Sequence, residues 1–208
     1  AAQMWYVDAA DVVLEVQNVR LTDELAAREQ NRYLTLRDFA NLCVKNIEGG
    51  DALTSHASAC LPVSPPPFMA GIAEVEVDKA TGKVTVVDYA AAVDCGTVIN
   101  EALARVQAEG GIAQGIGHAL YEIVEHDERG RLRTGNFMSY KLPTRLDIGS
   151  IRVAFEPSYE PTGPFGAKSI GEVVINTPLA AVASAVAHAT GHQVRSLPIT
   201  PEKALLGE

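Results

Sequence analysis

The residue best placed to do chemistry is Glu172, which ends the segment Gly166-Ala-Lys-Ser-Ile-Gly-Glu172. It is a lone carboxylate, without an Arg or His close by in the sequence. Flanking glycines let the backbone approach a reactant closely, and an enclosed pocket can tune a carboxylate for base chemistry near neutral pH. Glu172 is therefore a candidate general base. The alternative is a surface Glu before a helix N-terminus, where the helix dipole favours negative charge.

A second candidate site is the glycine-containing stretch of residues 107–117. Helical spacing places Gln107, Gly111 and Gln114 on one face, where the missing side chain of glycine leaves room for a flat, polar group near the backbone. A dinucleotide-binding loop is a poor match, because that motif needs a strand before it and a helix opening at its glycines. Packing against another helix is the alternative explanation for each glycine.

Four motifs in the same order resemble the molybdenum hydroxylases, the family of xanthine dehydrogenase and aldehyde oxidase. The resemblance is clear from residue 68 to the C-terminus and weaker before it. The motifs are Val75-Glu-Val-Asp78 with Thr81-Gly82, Asp94-Cys-Gly-Thr-Val-Ile-Asn100, Gln107-Ala-Glu-Gly-Gly-Ile-Ala-Gln-Gly-Ile-Gly-His-Ala-Leu-Tyr-Glu122, and the Glu172 segment with Asn176-Thr-Pro and Leu197-Pro-Ile-Thr-Pro-Glu202 after it.

The resemblance implies a role for each candidate residue. Glu172 matches the family's base, which removes a proton from a hydroxyl on molybdenum, and Gln107 matches a Gln that hydrogen-bonds the cofactor. Val106 and Glu101 depart from the family's Gly and Pro, which puts the local backbone, but not Gln107 itself, in question. Further residues are expected to bind the cofactor: Gly110, Gly111, Gln114, Gly166, Lys168, Ser169 and Gly171.

The resemblance also implies cofactors and partners. The expected cofactor is molybdopterin in its cytosine dinucleotide form, with iron–sulfur clusters and FAD on partner chains or domains. The expected partners are the remaining part of the molybdopterin subunit, the iron–sulfur and FAD subunits and a small-molecule substrate, in a dimer of heteromers. The expected reaction is oxidation of a heteroaromatic or aldehyde carbon. The alternatives are a non-catalytic scaffold or assembly fragment, or a relative such as carbon monoxide dehydrogenase or hydroxybenzoyl-CoA reductase.

Composition narrows the remaining classes. A net charge of −9 without a basic cluster argues against nucleic acid or an anionic membrane as the main partner. The longest apolar run, residues 178–189, is too short to span a bilayer. The three widely spaced Cys are typical of reduced thiols in a cytoplasmic protein, and no spacing of Cys or His predicts a metal site made of protein ligands.

The elements that must position these residues predict an α+β fold with a β-hairpin and long helices, and the resemblance implies that it is the C-terminal portion of the molybdenum-hydroxylase large-subunit fold. Residues 12–19 are predicted to form a strand, and Thr35 with Asp38 forms a capping box that opens a helix. A connector at 48–67 separates a small N-terminal segment, 1–60, from the main lobe, 68–208. Cys95 is expected to be a buried small apolar residue.

The main lobe is predicted to begin with a hairpin of residues 72–78 and 84–89, and to contain a strand at 151–155. Asn100 should cap a long helix, and Thr177 the last helix, with Pro178 at its first position and Gly191 beyond its end. The long helix should bury a stripe of residues at helical spacing, namely Leu103, Val106, Gly110, Ala113, Ile116, Leu120 and Ile123.

Overall fold

The computed structural model describes residues 1–28, 32–45, 56–58, 60 and 63–207. The chain divides into two compact units, Ala1–Cys60 and Leu61–Glu208. The predicted connector at 48–67 lies partly outside the described residues.

In its described residues, the first unit is a small antiparallel sheet with three short α-helices. The strands β1 (Val12–Leu14), β2 (Asn18–Leu21) and β3 (Tyr33–Thr35) pair in that order, and the helices are α1 (Ala2–Trp5), α2 (Asp23–Ala26) and α3 (Leu36–Val44). The core forms around Trp5, Val19 and Leu21. The single strand predicted at 12–19 is wrong, because the chain turns back after Leu14 and Val12 pairs with Leu21.

The predicted cap of α3 is confirmed at Thr35, whose hydroxyl also donates to the Asp38 carboxylate over 2.7 Å. The Oγ1 of Thr35 accepts a hydrogen bond of 3.1 Å from the backbone N–H of Asp38. The cap satisfies one of the N–H groups that a helix start leaves unpaired.

The second unit is built on a mixed three-stranded sheet, so the fold is α+β. The strands β4 (Phe68–Val77) and β5 (Val84–Asp94) form the predicted hairpin, and β6 (Ser150–Phe155) pairs with β5 in parallel. Three helices complete the unit: α4 (Glu101–Leu120), α5 (Val173–Thr190) and α6 (Pro201–Leu206). Helix α4 lies in the connection from β5 to β6, as a parallel pair requires.

The long helix α4 begins where predicted but buries a different face. The Oδ1 of Asn100 accepts a hydrogen bond of 3.0 Å from the N–H of Leu103, which confirms the cap. The predicted stripe is wrong except at Ile116 and Leu120, because Leu103 and Val106 are 68% and 67% exposed, Gly110 and Ile123 are exposed as well, and Ala113 is half-buried. The buried positions in the middle of α4 are mainly small, namely Ala108, Gly111, Ile112, Gly115, Ile116 and Ala119.

Small residues on α4 allow α5 to approach closely. A Cβ at Gly111 would lie 2.3 Å from the Cγ2 of Val174, and a Cβ at Gly115 would lie 2.8 Å from the Cβ of Pro178. Both distances are shorter than side-chain packing tolerates. The α4–α5 contact therefore depends on glycine at both positions.

Helix α5 starts one turn earlier than predicted. It begins at Val173, so Thr177 is not its cap and Pro178 lies inside it. The Oγ1 of Thr177 is 3.0 Å from the hydroxyl of Tyr89 on β5, a contact between elements that no local pattern reveals. Gly191 ends the helix with φ of 80°, as predicted.

Helix α5 is longer than the apolar run of residues 178–189, which alone is too short to span a membrane. With 18 residues it is long and apolar enough to cross a membrane by length and composition alone. In the fold, Val174, Pro178, Val182 and Val186 form a buried stripe along one side of it.

Candidate functional site

The segment before Glu172 is fixed against the end of β5 by backbone hydrogen bonds. The N–H of Lys168 donates to the carbonyl of Cys95 over 2.7 Å, and the N–H of Thr97 donates to the carbonyl of Gly166 over 2.8 Å. These bonds surround a bridge between Gly96 and Ala167. The backbone of this segment is thus paired with the residues that directly follow β5.

Gly166 is needed in this segment for two reasons. Its φ of 83° lies in the left-handed region that favours glycine. A Cβ there would also lie 2.3 Å from the ring of Tyr159 and 2.7 Å from the Oγ1 of Thr97. Gly166 is therefore buried where it packs on Tyr159 and Thr97, and its predicted role in cofactor binding stays a prediction.

The side chain of Lys168 is turned inward and pairs with Asp94 at the end of β5. Its Nζ donates to the Oδ2 of Asp94 over 2.5 Å, and only 8% of the side chain is exposed. The same ammonium lies 5.2 Å from the ring centre of Phe68 on β4. The ammonium of Lys168 is thus engaged in an ion pair within the chain, and the predicted role of Lys168 in cofactor binding stays a prediction.

Asp94 collects donors from three parts of the chain. Besides Lys168, the hydroxyl of Ser158 donates to its Oδ1 over 2.5 Å and the N–H of Gly96 over 3.0 Å. The hydrogen bond from Lys168 is the largest cause, followed by those from Ser158 and Gly96, and together they lower the pKa of Asp94 to about 2. Asp94 is thus held as an anion at neutral pH.

Helix α4 reaches the same segment through Gln107. Its Nε2 donates to the carbonyl of Gly171 over 2.9 Å, across 64 residues of sequence. Gln107, Gly171 and Lys168 line one open cleft of about 490 Å³ together with Cys95 and Thr97. Cys95 is buried, as predicted.

Glu172 follows Gly171 directly and occupies the N-cap position of α5. Its side chain makes no capping hydrogen bond, and the residue is exposed. Its carbonyl accepts from the N–H of Ile175 over 3.1 Å. The backbone of Glu172 is therefore held in the helix start next to Gly171, which Gln107 contacts, but Glu172 itself is not among the residues that line the cleft.

The other predicted cofactor-binding residues are divided between two environments. Gly110 is exposed, with no atoms within 4 Å of a Cβ built there, whereas Gly111 lies beneath α5. Gln114 and Ser169 are exposed. The prediction that Gly111 lines an open face with Gln107 is wrong, because the small-residue side of α4 is the side that packs.

Sequence reasoning did not single out Asp94 or Ser158. Asp94 belongs to a motif that was noted for its family resemblance, and it stands where that motif interrupts β5. Its position at the end of a strand was the signal by which Asp94 could have been found. Ser158 carried no signal, since its hydrogen bond to Asp94 spans 64 residues.

The cleft has the size and lining of a binding site for a small molecule or part of a cofactor. Sites of this kind are concave, mainly apolar and about 300–1,000 Å³ in volume, with a few polar groups that orient the ligand. Across the described residues, no group of three or more His, Cys, Asp and Glu is placed to hold a metal ion.

This combination of fold and cleft defines a cofactor-binding part of an α+β protein. The chain belongs to the molybdopterin cofactor-binding domain family, whose family model matches residues 1–149. Gln107 lies inside the matched residues and Glu172 lies beyond them.

Similar proteins extend over the whole chain. The xanthine dehydrogenase molybdenum-binding subunit of Escherichia coli O157:H7 is 33% identical over 204 residues, 98% of this chain and 27% of that protein. An aldehyde oxidoreductase of Megalodesulfovibrio gigas is 37% identical over 142 residues, 66% of this chain and 15% of that protein.

Among solved structures, quinoline 2-oxidoreductase from Pseudomonas putida 86 superposes with a TM-score of 0.75 at 28% identity. The match covers 98% of this chain and 26% of that chain. This chain therefore spans about a quarter or less of the length of the relatives it matches.

Proposed function

We propose that this chain is part of a molybdenum-dependent hydroxylase that oxidises a heteroaromatic or aldehyde carbon with oxygen derived from water. The similarity to proteins named xanthine dehydrogenase, aldehyde oxidoreductase and quinoline 2-oxidoreductase supports this reaction class. The activity belongs to the complete enzyme, of which this chain supplies the helix α4 cleft and the segment that carries Glu172.

The proposed cofactor is molybdopterin in its cytosine dinucleotide form, and the residues of the cleft suit such a group. The amide of Gln107 can both donate and accept hydrogen bonds, as the edge of a pterin requires. Gly110 leaves the backbone of α4 open to close approach. When bound, the cofactor would supply the two-electron oxidation of the substrate carbon.

Glu172 acts as the general base in this proposal. A carboxylate oxygen of Glu172 accepts the proton that leaves a water-derived hydroxyl as the new carbon–oxygen bond forms. A base must stand within hydrogen-bond reach of that proton, so the placement of its backbone matters as much as its charge. Gln107 and Lys168 hold the backbone on the N-terminal side of Glu172, and α5 holds it on the other.

One observation carries the proposal: the hydrogen bond of 2.9 Å between Gln107 and Gly171. It joins the residue expected to contact the cofactor to the residue that precedes the expected base. The bond brings these two positions together at an open cleft, as a cofactor site shared by α4 and the Glu172 segment requires.

The proposed partners are the remaining part of the molybdopterin subunit and chains that carry iron–sulfur clusters and FAD, in a dimer of heteromers. Exposed apolar side chains support a covered surface, among them Leu103 and Val106 on α4 and Ile72, 75% exposed, on the edge strand β4. An obligate interface of this kind should bury more than roughly 2,000 Å². A stable monomer that binds the cofactor alone would contradict it.

The proposed location is the cytoplasm, where thiols such as those of Cys43 and Cys95 stay reduced. Fractionation of cells that express the tagged enzyme would test this.

The function itself is tested by analysis of the complete enzyme, purified with its natural partners. We expect about one molybdenum and one pterin nucleotide per chain, and oxidation of a heteroaromatic compound or an aldehyde with incorporation of oxygen from labelled water. An enzyme free of molybdenum and pterin would overturn the proposal.

A further inference from the structure

We propose that Asp94 and Lys168 form an internal latch that positions the Glu172 segment, so that both are positioning residues for the reaction. The inference rests on the proposed function of Glu172 as the base. Composition and motif similarity alone give this ion pair no role.

The ion pair joins the end of β5 to the segment that carries Glu172. Asp94 is the last residue of β5, the central strand of its sheet, and Lys168 lies four residues before Glu172. The pair thus connects the most constrained part of the fold to the segment that carries the base, across 74 residues of sequence.

Contacts on both sides of Glu172 hold its backbone in place. Lys168 is held by its side chain and by its N–H, Gly171 is held by Gln107, and Val174 packs on Gly111. Anchors thus flank Glu172 on both sides, while the Glu172 residue itself is exposed. Fixing the backbone and leaving the carboxylate free is what a base at a defined position needs.

Further hydrogen bonds and an aromatic contact support the ion pair. Asp94 also accepts from Ser158 and Gly96, so its oxygens are well supplied with donors. Lys168 is almost fully buried and lies over the ring of Phe68. The Asp94 side chain is 22% exposed, so the pair is partly buried, and its hydrogen bonds are charge-assisted and therefore stronger than neutral ones.

The chain provides a matched control on the same strand. Asp88, six residues earlier on β5, pairs with Arg152 on β6, and Arg152 is largely exposed. Asp88→Asn therefore makes the same chemical change on β5 without touching the Glu172 segment.

The test compares Asp94→Asn, Lys168→Met and Asp88→Asn in the complete enzyme. The measurements are molybdenum content, steady-state kinetics that give kcat and KM separately, and hydrogen exchange of the segment 166–171. Misplacement of a catalytic group by about 1 Å costs on the order of 10²-fold in rate. We expect the first two variants to lower kcat at least about tenfold at normal molybdenum content, with KM within about twofold. Exchange of the segment should accelerate, and Asp88→Asn should change none of these quantities.

A kcat for Asp94→Asn within about twofold of wild type, with exchange unchanged, would overturn the latch. So would a loss of turnover that is fully explained by lost molybdenum. If Asp94→Asn yields no folded enzyme, Asp94→Glu keeps the charge but moves it by one methylene, and unchanged kcat in that variant would also overturn the proposal. Faster exchange of 166–171 remains a test of the latch even if Glu172→Gln turns over normally.

Discussion

Neighbouring glycines on α4 provide a sharp test of how this helix packs. Gly110→Ala and Gly111→Ala add the same methyl group at adjacent positions. Alanine in place of glycine stabilises a helix interior by about 1 kcal/mol. At Gly110 nothing lies within 4 Å of the new Cβ, so the full gain is expected.

At Gly111 the same methyl would lie 2.3 Å from the Cγ2 of Val174 and 3.0 Å from its Cβ. Overpacking of this kind costs about 1–3 kcal/mol, which outweighs the helix gain. We expect Gly111→Ala to be about 1 kcal/mol less stable than wild type, and Gly110→Ala about 1 kcal/mol more stable.

The assay is hydrogen exchange of the α4 amides in the complete enzyme prepared without its cofactor, which reports local opening of the helix. About 1 kcal/mol changes the opening equilibrium about fivefold at 25 °C. Exchange should therefore slow in Gly110→Ala and accelerate in Gly111→Ala. Equal protection in both variants would refute the close α4–α5 contact.

Further variants test separate parts of the account. Asn100→Ala should destabilise α4 by about 1 kcal/mol through loss of its cap, seen as faster exchange of the first helical turn. Gln107→Ala should lower cofactor retention or turnover while the fold survives, measured by molybdenum content and circular dichroism, and full retention with normal turnover would contradict its role. The pKa of Asp94, lowered to about 2, predicts a pH effect. The stabilisation from Asp94 should be complete above its ordinary pKa of 3.8 and be lost as the pH falls through 2, so the difference in unfolding free energy from Asp94→Asn should shrink over that range.

The sequence predicted the elements whose signals are local. Thr35 and Asn100 were recognised as caps because the capping hydrogen bond joins residues three apart, and the β4–β5 hairpin because alternation and turn residues stand side by side. Gly191 was recognised in the same way, since a glycine after an apolar helix is typical of its end.

Contacts between distant segments could not be predicted. The face that α4 buries depends on the approach of α5, so the large residues Leu103 and Val106 misled the prediction while Gly111 and Gly115 formed the contact. The start of α5 was misplaced because Thr177 bonds Tyr89 instead of capping. For Lys168 no local pattern could have named Asp94 as its partner.

The candidate site shows the same division. Family resemblance selected Gln107 and the Glu172 segment, and the structure brings Gln107 and Gly171 within a hydrogen bond. It did not separate residues that open onto the cleft from residues that support it, because that distinction depends on burial. Gly111, Gly166 and the side chain of Lys168 belong to the support.

The central claim, that Glu172 is the base, is tested most directly by Glu172→Gln in the complete enzyme. Glutamine keeps the shape and hydrogen bonding of the side chain but cannot accept the proton. With molybdenum content equal to wild type, turnover should fall by at least about 10²-fold, the lower end for loss of a general base. Turnover close to wild type at full molybdenum occupancy would contradict the account.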